Sequence, residues 1–539
     1  MKGLKRFVSV FAIAAMTVSL VGCGGGNSES SDEKVFRFGQ SNPKVGLDMQ
    51  TNSNSGASSV ADNVVESLMR WNDDNEEECV LITDFPTVSE DGLTYSFELK
   101  EDVKFSDGTD LTAEDVKYTF ERMFTPETGS VNTYMYDMIE GASEMLAGTA
   151  TELSGIQIQD DYHFTIKLAY KFAPFIANLG MDYASIYPSE ACEKAGDQWG
   201  RGTNLIGTGP YVIVENDEAT KVVMEPNKDY HGGKPNLDRL EVVYIDDIST
   251  KMMEYEQGNI DMCDLDNQLL DQYKNGDFAD EITQITPLGT YFLSLKVTDP
   301  ALDNAKVREA ISLAINREEL CKTVLSGAAE PASSFLNPGV PGYDDTLGTY
   351  EYNVDKAKQV LAEAGLTNVE FTAKVRAKEE KIATAIQAYL KEAGITMNVE
   401  VIDNGVWTSS RSEGSLQATI VGWFPLYADA DNQMYTYYYS ENAVGKGVFY
   451  NNPEFDALMT EARQTVGDDA KREELYKQAD YILSREDYAT IPLYYPKLQF
   501  VAKPYVKNAK LGNLIYHLYN IDIDLSKKYG RILLEIDIL

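Results

Sequence analysis

Binding chemistry is concentrated in one segment late in the chain. Residues 421–440 read VGWFPLYADADNQMYTYYYS, which combines a tryptophan, five tyrosines and two nearby aspartates around one proline. Such residues are typical of a ligand-binding wall, and they are equally typical of a packed strand and loop. Tyr435, Tyr437 and Tyr439 alternate, which predicts one face of a strand whose rings serve mainly for packing. Composition alone leaves both interpretations open.

The residues that usually perform catalysis are sparse. The chain has three histidines, and none has a second histidine three or four residues away, the spacing of a helical zinc site: His163, His231 and His517. Ser41–Lys44 has the SxxK spacing, but Pro43 disfavours the helical turn which that chemistry needs. No GxSxG nucleophile elbow occurs in the sequence. We therefore predict that this protein is not an enzyme.

Cofactor and metal motifs are also missing from the sequence. Gly207–Gly209 lacks the third glycine of a dinucleotide-binding loop and is better explained by turns. Asp429 and Asp431 begin like a calcium loop, but no glycine follows at the sixth position. Four cysteines lack the CxxC spacing of a metal cluster and are either free thiols or disulfide partners: Cys79, Cys192, Cys263 and Cys321. We predict no cofactor and no metal.

The N-terminus predicts export and a lipid anchor. A basic start precedes the apolar run Phe7–Val21, which is too short to span a bilayer and has the pattern of a secretory signal. The run ends in Leu20–Cys23, which resembles the lipobox of bacterial lipoproteins. Residues 1–22 are then a lipoprotein signal peptide, Cys23 is the lipidation site and residues 23–34 form a flexible tether. The alternative is a secreted protein with a chance cysteine.

Size and charge narrow the class of protein. The chain has 539 residues, of which 43% are hydrophobic and 11% aromatic, and this composition predicts a globular protein with two or three lobes. Its formal net charge of −39 would repel nucleic acid, and the same charge keeps an exported protein soluble. We predict no nucleic-acid partner.

Helix and strand patterns indicate an α/β fold. Thr112–Asp115 has the form of a capping box for a helix with Val116, Phe120 and Met123 on its apolar stripe. Asp303 or Asn304 can cap another helix further along the chain.

The second half repeats one arrangement. Helices predicted over 355–364 and 381–393 each end at a glycine, and alternating strands follow over 369–375 and 395–401. This repeat predicts an α/β lobe across about 296–490.

Three long motifs, in this order, resemble the extracellular solute-binding proteins of the peptide/nickel ABC-importer family, which includes oligopeptide- and dipeptide-binding lipoproteins. They are LKEDVKFSDGTDLTAEDVKYTFERM at 99–123, GTGPYVIVENDEATKVVMEPNKDYHGGKPNLDRLEVVYI at 207–245 with GNIDM at 258–262, and DNAKVREAISLAINREEL at 303–320. Leu47-Asp48 and Gly422-Trp423 extend the resemblance to roughly residues 35–525.

The resemblance implies a three-lobed, two-hinged periplasmic-binding-protein clamshell, with mixed β-sheets flanked by helices. Lobe I would comprise 35–76, 206–294 and 492–539, lobe II 77–205, and lobe III 295–491. In the family, the solute lies between lobes I and III, and hinge closure buries it. The apolar tail 531–539 is expected to add a strand to lobe I.

The resemblance also implies binding residues. The segment that begins Gly-Trp would form the lobe III wall, where backbone groups pair with an extended peptide as with an added strand. Its residues here are Gly422, Trp423 and Phe424, with Trp407 as a second cleft tryptophan. Ser55, Gly56 and Ala57 would form the opposing strand edge of lobe I, and Tyr134 a cleft tyrosine of lobe II.

The chain departs from the family pattern at one position. Peptide-binding relatives carry an aspartate three residues after the tryptophan, which pairs with the α-amine of the peptide, and here that residue is Leu426. Losing such a charge partner costs about 2–5 kcal/mol. Either Asp429, or less favourably Asp431, supplies the carboxylate, or the solute has no amine.

These features predict a lipid-anchored, monomeric receptor on the extracellular face of the cytoplasmic membrane of a bacterium, with a Gram-positive envelope favoured by the long tether. It would capture peptides and deliver them to the transmembrane subunits of an ABC permease, whose ATPase powers import. The alternatives are the same role for an oligosaccharide or metal chelate, or a surface lipoprotein that signals or adheres without transport.

Overall fold

The structure is a computed structural model that describes residues 33–72, 76–267, 269–509, 511 and 516–529. The predicted signal peptide, the lipidation site Cys23 and the tail 531–539 lie outside the described residues. The chain folds into several mixed β-sheets flanked by helices, which confirms the predicted α/β class.

The strands are numbered along the chain. Their bounds are β1 Val35–Gln40, β2 Met69–Trp71, β3 Glu77–Cys79, β4 Thr87–Val88, β5 Thr94–Glu98, β6 Ile156–Ile158, β7 His163–Lys167, β8 Tyr211–Asn216, β9 Lys221–Pro226, β10 Arg239–Tyr244, β11 Met262–Leu265, β12 Ile282–Ile285, β13 Thr290–Leu295, β14 Ala329–Pro331, β15 Glu370–Val375, β16 Thr396–Val401, β17 Ala418–Trp423, β18 Thr490–Pro496, β19 Leu498–Ala502, β20 Val506–Lys507 and β21 Asp522–Ile523.

The α-helices are numbered in the same way. Their bounds are α1 Ser55–Ala61, α2 Ala113–Phe124, α3 Ala142–Leu146, α4 Phe175–Asn178, α5 Ser189–Ala195, α6 Ile248–Glu256, α7 Leu270–Lys274, α8 Ala305–Ala314, α9 Arg317–Glu319, α10 Val354–Glu363, α11 Glu380–Glu392, α12 Asn404–Ser412, α13 Thr436–Tyr438, α14 Ser440–Gly445, α15 Pro453–Gln464 and α16 Asp469–Tyr481. Wider π-helical turns cover Leu320–Val324, Asp431–Tyr435 and Ile482–Glu486.

Two large sheets dominate the architecture. A seven-stranded sheet has the order β12-β19-β11-β1-β10-β9-β8, and a six-stranded sheet has the order β14-β18-β13-β17-β15-β16. β1 is parallel to both of its neighbours, β10 and β11, and antiparallel pairs complete the first sheet. Each sheet therefore combines strands that are far apart in sequence.

The chain crosses between these sheets twice, at adjacent places. β12 pairs with β19 in the first sheet, and β13 pairs with β18 in the second. Residues 286–289 connect β12 to β13, and Lys497 alone connects β18 to β19. The predicted lobe boundaries at 294/295 and 491/492 fall within β13 and β18, so the change of sheet occurs a few residues away from both.

The predicted repeat of helix and strand is confirmed in the six-stranded sheet. α10 and α11 occupy the two predicted helical ranges, and β15 and β16 follow them as a parallel pair. Asn304 caps α8 by accepting a hydrogen bond from the backbone N–H of Lys306 at 2.9 Å. The alternating residues of β15, Phe371, Ala373 and Val375, are buried in the core under the sheet. On β16 Met397 is buried and Val399 partly buried, whereas Val401 is exposed.

A four-stranded antiparallel sheet, β4-β5-β7-β6, packs with α2 in the segment between residues 87 and 167. The backbone N–H of Thr112 donates to Asp115 Oδ2 at 3.1 Å, as the capping box predicts. Val116, Phe120 and Met123 are fully buried along the predicted stripe. His163 lies exposed on β7.

Among the described residues, no helix combines the length and apolar character needed to cross a membrane. The cysteines of this part of the chain are free thiols: Cys79, Cys192, Cys263 and Cys321.

Candidate functional site

The C-terminal end of β17 presents a glycine between aromatic rings. Gly422 stands opposite Tyr291 of β13, and a Cβ atom at position 422 would lie 2.7 Å from Tyr291 Cζ. Only glycine therefore allows the ring to lie flat over the strand. Tyr291 is held there by Tyr494 of β18, whose ring stacks on it at 4.7 Å between centroids. Phe424, 42% exposed, meets Tyr291 edge to face.

The same strand keeps one edge without a strand partner. β17 pairs with β13 over its whole length, whereas its pairing with β15 is confined to Ala418, opposite Ala373. Within the described residues, the rest of β17 up to Trp423 therefore has a strand neighbour on one side only. Thr419, Ile420 and Val421 are buried, so the edge is accessible only at its end, at Gly422 and Trp423. An accessible strand edge can accept an extended peptide through its main-chain groups.

Trp423 is half-buried at the end of this strand. Its ring packs edge to face on Tyr437 at 5.5 Å, and Lys446 Nζ lies 4.8 Å from its centroid. The indole Nε1 is buried, and no described atom accepts its hydrogen bond. Trp423 therefore has a ring face close to the ammonium group of Lys446, and its indole N–H has no acceptor among the described atoms.

Trp407 has a different environment. It is only 6% exposed, and its indole Nε1 donates to Thr419 Oγ1 at 2.7 Å. The guanidinium of Arg376 covers the ring at 4.1 Å. The structure thus places Trp407 in the packed interior behind β17 and not on an open cleft wall, because a helix, α12, carries it under the sheet.

The prediction of a strand edge at Ser55–Ala57 is wrong. These residues begin α1, because Asn54 caps the helix by accepting hydrogen bonds from the backbone N–H groups of Gly56 and Ala57. Ala57 is fully buried. Ser55 and Gly56 still line a cavity of about 430 Å³, together with Gln40, Gln499 and the connector residue Lys497. We refer to it as the Ser55 cavity.

Tyr134 lines a second cavity, of about 520 Å³, which we refer to as the Tyr134 cavity. One side comes from residues 134–178, including Asp137 and Tyr170. The other side comes from the segment after β17 and from α14 and α15: Tyr427, Asp431, Asn432, Tyr435, Lys446 and Arg463. Tyr134 is 53% exposed, so its ring is accessible to a solute. The cavity thus brings Tyr134 close to the segment that follows Trp423.

The carboxylate of Asp429 already has a partner in the chain. It is 2% exposed, and its Oδ2 lies 3.1 Å from Nη1 of Arg472 on α16. Its Oδ1 accepts the backbone N–H of Asp431. Because the carboxylate is buried and its charge is compensated by Arg472, Asp429 is not available to bind the amine of a solute.

Asp431 is engaged in the same way. Its carboxylate pairs with Arg463 Nε at 2.9 Å and accepts a hydrogen bond from Tyr427. Burial raises the pKa of Asp431 to about 6, although Arg463 acts in the opposite direction. Leu426 stands at the position that the resemblance assigns to the amine-binding aspartate, and Asp429 and Asp431 are both paired within the chain. None of these three residues therefore offers a free carboxylate to the amine of a solute.

The strand predicted for the tyrosines after Met434 is also wrong. A π-helical turn over Asp431–Tyr435 leads directly into α13, so the tyrosines project at helical spacing. The predicted packing role is correct for Tyr437 and Tyr438, which are fully buried. Tyr435 instead lines the Tyr134 cavity, with the guanidinium of Arg463 at 3.5 Å from its ring centroid.

Several residues of the site have no local signal in the sequence. Arg463 comes from a helix that begins about twenty residues after Asp431, and Arg472 from one that begins about forty residues after Asp429. Lys446 lies at the end of α14. A third cavity, of about 690 Å³, contains none of the predicted site residues and is lined by Asp107, Asp115, Ser189 and Trp199 among others.

Two mixed sheets joined by a double connector, with cavities lined by Ser55 and by Tyr134, suit a protein that holds a solute. Residues 78–445 match the family described as bacterial extracellular solute-binding proteins, family 5 Middle. The chain belongs to this family, and its members are solute-binding proteins of ABC importers, not enzymes.

Two curated relatives differ in the solutes for which they are named. Heme-binding protein A of Haemophilus influenzae is 30% identical over 423 residues, which is 74% of this chain and 76% of that protein. The dipeptide-binding protein of Escherichia coli is 27% identical over 503 residues, or 89% and 90% of the two chains.

The fold agrees with a solved structure. The periplasmic murein tripeptide binding protein MppA, in its unliganded open form, superposes with a TM-score of 0.81 over 91% of this chain and 98% of that one, at 22% identity. This agreement confirms the periplasmic-binding-protein architecture.

Proposed function

We propose that this protein is a lipid-anchored receptor that captures peptides between lobes I and III and delivers them to an ABC permease. The observation that carries the proposal is the C-terminal end of β17, where Gly422 and Trp423 are partly exposed and have a strand neighbour on one side only. A peptide bound along this edge would be recognised through its backbone, whatever its side chains. The E. coli relative named for dipeptides supports the same solute class.

The two large sheets support the lobe division. Lobe I would contain the seven-stranded sheet and lobe III the six-stranded sheet, with the four-stranded sheet in lobe II. The Ser55 cavity includes Lys497, so it adjoins the crossing between lobes I and III. A solute that contacts both lobes stabilises their closed arrangement, which is the form that would dock on the permease.

Anchoring and location are part of the same proposal. Cys23 would carry the lipid, residues 23–34 would form the tether, and the body would work as a monomer on the outer face of the cytoplasmic membrane of a Gram-positive bacterium.

A non-peptide solute is the second candidate. It is favoured by Leu426, which removes the amine partner, and by the ion pair that occupies Asp429. The H. influenzae relative is named for heme, so the relatives of this chain are not all named for peptides.

The test is native mass spectrometry of the body, residues 28–539, purified without refolding, with solutes identified after denaturation. A series of short peptides supports the proposal. Discrete non-peptide adducts support the second candidate. Leu426→Asp then tests the anchor: it should strengthen binding of peptides with free amines, whereas Val406→Asp, which adds the same charge at an exposed position of α12, should leave binding unchanged.

A further inference from the structure

One connector between the two large sheets carries an aromatic ring of the candidate binding wall. Residues 286–289 join β12 to β13, and Gly289 is the last of them. Gly289 is buried, and a Cβ atom there would lie 2.6 Å from Cε1 of Phe424; its three nearest atoms all belong to that ring. The φ angle of Gly289 is not positive, so the ring, and not the backbone, is what requires a glycine here.

Phe424 faces both the connector and the solvent. It follows Trp423 at the end of β17 and is 42% exposed, so part of its ring is accessible to a solute. The packed part lies against Gly289 and meets Tyr291 edge to face, at 6.0 Å between ring centroids. Because Gly289 and Tyr291 flank the first residue of β13, Phe424 joins the binding wall to the place where the chain changes sheet.

A hydrogen-bonded contact reaches the same glycine from the Tyr134 cavity. Asn337 Nδ2 donates to the carbonyl oxygen of Gly289 at 2.6 Å, and Asn337 Oδ1 accepts from Gln433 Nε2 at 2.8 Å. Asn337 and Gln433 are buried, and Gln433 belongs to the π-helical turn that lines this cavity through Tyr435. Two parts of the candidate site therefore converge on the last residue of the connector.

We infer that Gly289 couples solute binding to lobe closure, with Phe424 as the positioning residue between them. A solute that covers the exposed part of the ring holds it against the connector, whose backbone must change when the sheets rotate relative to each other. A ligand shifts such an equilibrium only through contacts that differ between the two arrangements, and a contact on the connector meets this condition. The inference rests on the proposed site and closure, and it applies to peptide and non-peptide solutes alike.

A role for Phe424 as a simple solute contact makes a different prediction. Phe424→Ala would then weaken binding, but the protein saturated with solute would close as far as wild type. Gly289→Ala would leave both properties unchanged, because a buried residue of the connector does not contact the solute. Affinity and closure must therefore be measured separately.

The experiment uses the soluble body, residues 28–539, dialysed to remove bound solute. One probe is an equimolar mixture of tri-, tetra- and penta-alanine, and the other is the solute extracted from denatured wild-type protein, which keeps coupling testable for a non-peptide solute. Calorimetry gives the affinity. Small-angle X-ray scattering at a saturating concentration of the probe gives the decrease in radius of gyration on closure.

We expect Gly289→Ala and Phe424→Ala each to bind about fivefold or more weakly, the lower end of typical coupling between sites, and to lose about half or more of the decrease in radius of gyration. Phe424→Tyr keeps the ring and should close like wild type. Adding Gly289→Ala to Phe424→Ala should have little further effect, because the overlap requires the ring. Gly405→Ala and Phe85→Ala, at an exposed glycine and an exposed phenylalanine, are the matched controls and should behave like wild type.

Each outcome supports or overturns the coupling. Full closure of saturated Phe424→Ala overturns it and leaves the proposed function intact, and this variant alone decides if Gly289→Ala does not fold. Unchanged affinity and closure in Gly289→Ala also overturn it. So does a double variant whose losses equal the sum of those of the single variants, since Gly289 would then act without the ring. If wild type binds neither probe, the proposed function and the coupling both fail.

Discussion

The ring of Tyr291 lies directly against the α-carbon of Gly422, so that a side chain at position 422 would meet it at 2.7 Å. Tyr291 cannot retreat easily, because Tyr494 stacks on its other side with ring planes 11° apart. This contact determines the shape of the wall where we propose that the peptide binds.

Gly422→Ala should therefore weaken solute binding more than it reduces stability. The added methyl group would displace Tyr291 and with it Phe424, which packs edge to face against the ring of Tyr291. We expect at least a tenfold loss of affinity for the co-purified solute, measured by calorimetry. Gly405→Ala is the control, because Gly405 is exposed on α12 and a Cβ atom there meets only the side chain of Asp403. Equal affinities in both variants would show that this end of β17 does not contact the solute.

Arg472→Met should destabilise the protein because it leaves Asp429 buried without a counter-charge. Removing one partner of a buried ion pair costs about 3–5 kcal/mol, and the two side chains here are 14% and 3% exposed. The free energy of unfolding in urea measures the effect. Lys471→Met breaks the pair of Lys471 with Glu461, which is about half exposed, and should change stability little. Similar losses in both variants would contradict the buried role.

Replacement of Trp407 should mainly reduce stability, whereas replacement of Trp423 should mainly weaken solute binding. Trp407→Ala removes a buried ring and its hydrogen bond to Thr419, and we expect a loss of about 3–5 kcal/mol in the free energy of unfolding. Trp423→Ala should cost less stability, since the ring is only half-buried, and should weaken solute binding strongly. Denaturant unfolding and calorimetry on both variants check this. The reverse pattern would place Trp407, as the family resemblance implied, on the ligand wall.

Asp480 should make stability depend on pH. It is 1% exposed, and burial raises its pKa to about 6, although Ser334 donates a hydrogen bond to it. An unfolded aspartate has a pKa of about 3.9. Between these values the folded state binds more protons than the unfolded state, so this contribution to stability is present below pH 4 and is lost as the pH rises through 6.

Asp480→Asn should reduce that pH dependence, by at most about 1.4 kcal/mol per pH unit. The measurement is the free energy of unfolding at several values between pH 4 and pH 7. Glu473→Gln, at an exposed position of the same helix, is the control and should keep the slope of wild type. An unchanged slope in Asp480→Asn would show that its carboxyl group titrates normally.

Cys23→Ser should release the protein from the membrane. Without the thiol no diacylglycerol can be attached, and its two acyl chains are needed because a single myristoyl-sized chain binds a bilayer only marginally. In a bacterial host that processes lipoproteins, we expect wild type in the membrane fraction and the variant in the medium or soluble fraction. Cys79→Ser controls for loss of an unrelated thiol. Membrane retention of Cys23→Ser would contradict the anchor.

Local signals in the sequence predicted the regular elements well. The alternation in β15 and β16, the cap at Asn304 and the stripe on α2 each depend on residues within one element, so their periodicity was sufficient. The helical course of Tyr435–Tyr439 was missed because three alternating aromatic residues fit both periods, and packing against Phe292 and Phe335 decided between them.

The site was less accessible to sequence reasoning. The family resemblance indicated Gly422 and Trp423, but whether Asp429 is free depends on Arg472, which lies 43 residues later on another helix. The cap of α1 by Asn54 likewise overrode the expected strand at Ser55, since a side-chain acceptor two residues away competes directly with strand pairing. Pairings across helices follow from tertiary packing and leave no spacing pattern to detect.

The double connector has a mechanical consequence. Residues 286–289 and Lys497 run side by side, and each is continued at both ends by a strand that is paired with its counterpart. Two short links that lie side by side permit the two sheets to rotate about an axis through both links. They oppose twisting of one sheet relative to the other. The proposed closure is therefore guided about one axis, and the cargo has little influence on the direction in which the two lobes approach. A membrane partner would then meet closed forms that differ in the extent of rotation and share its direction.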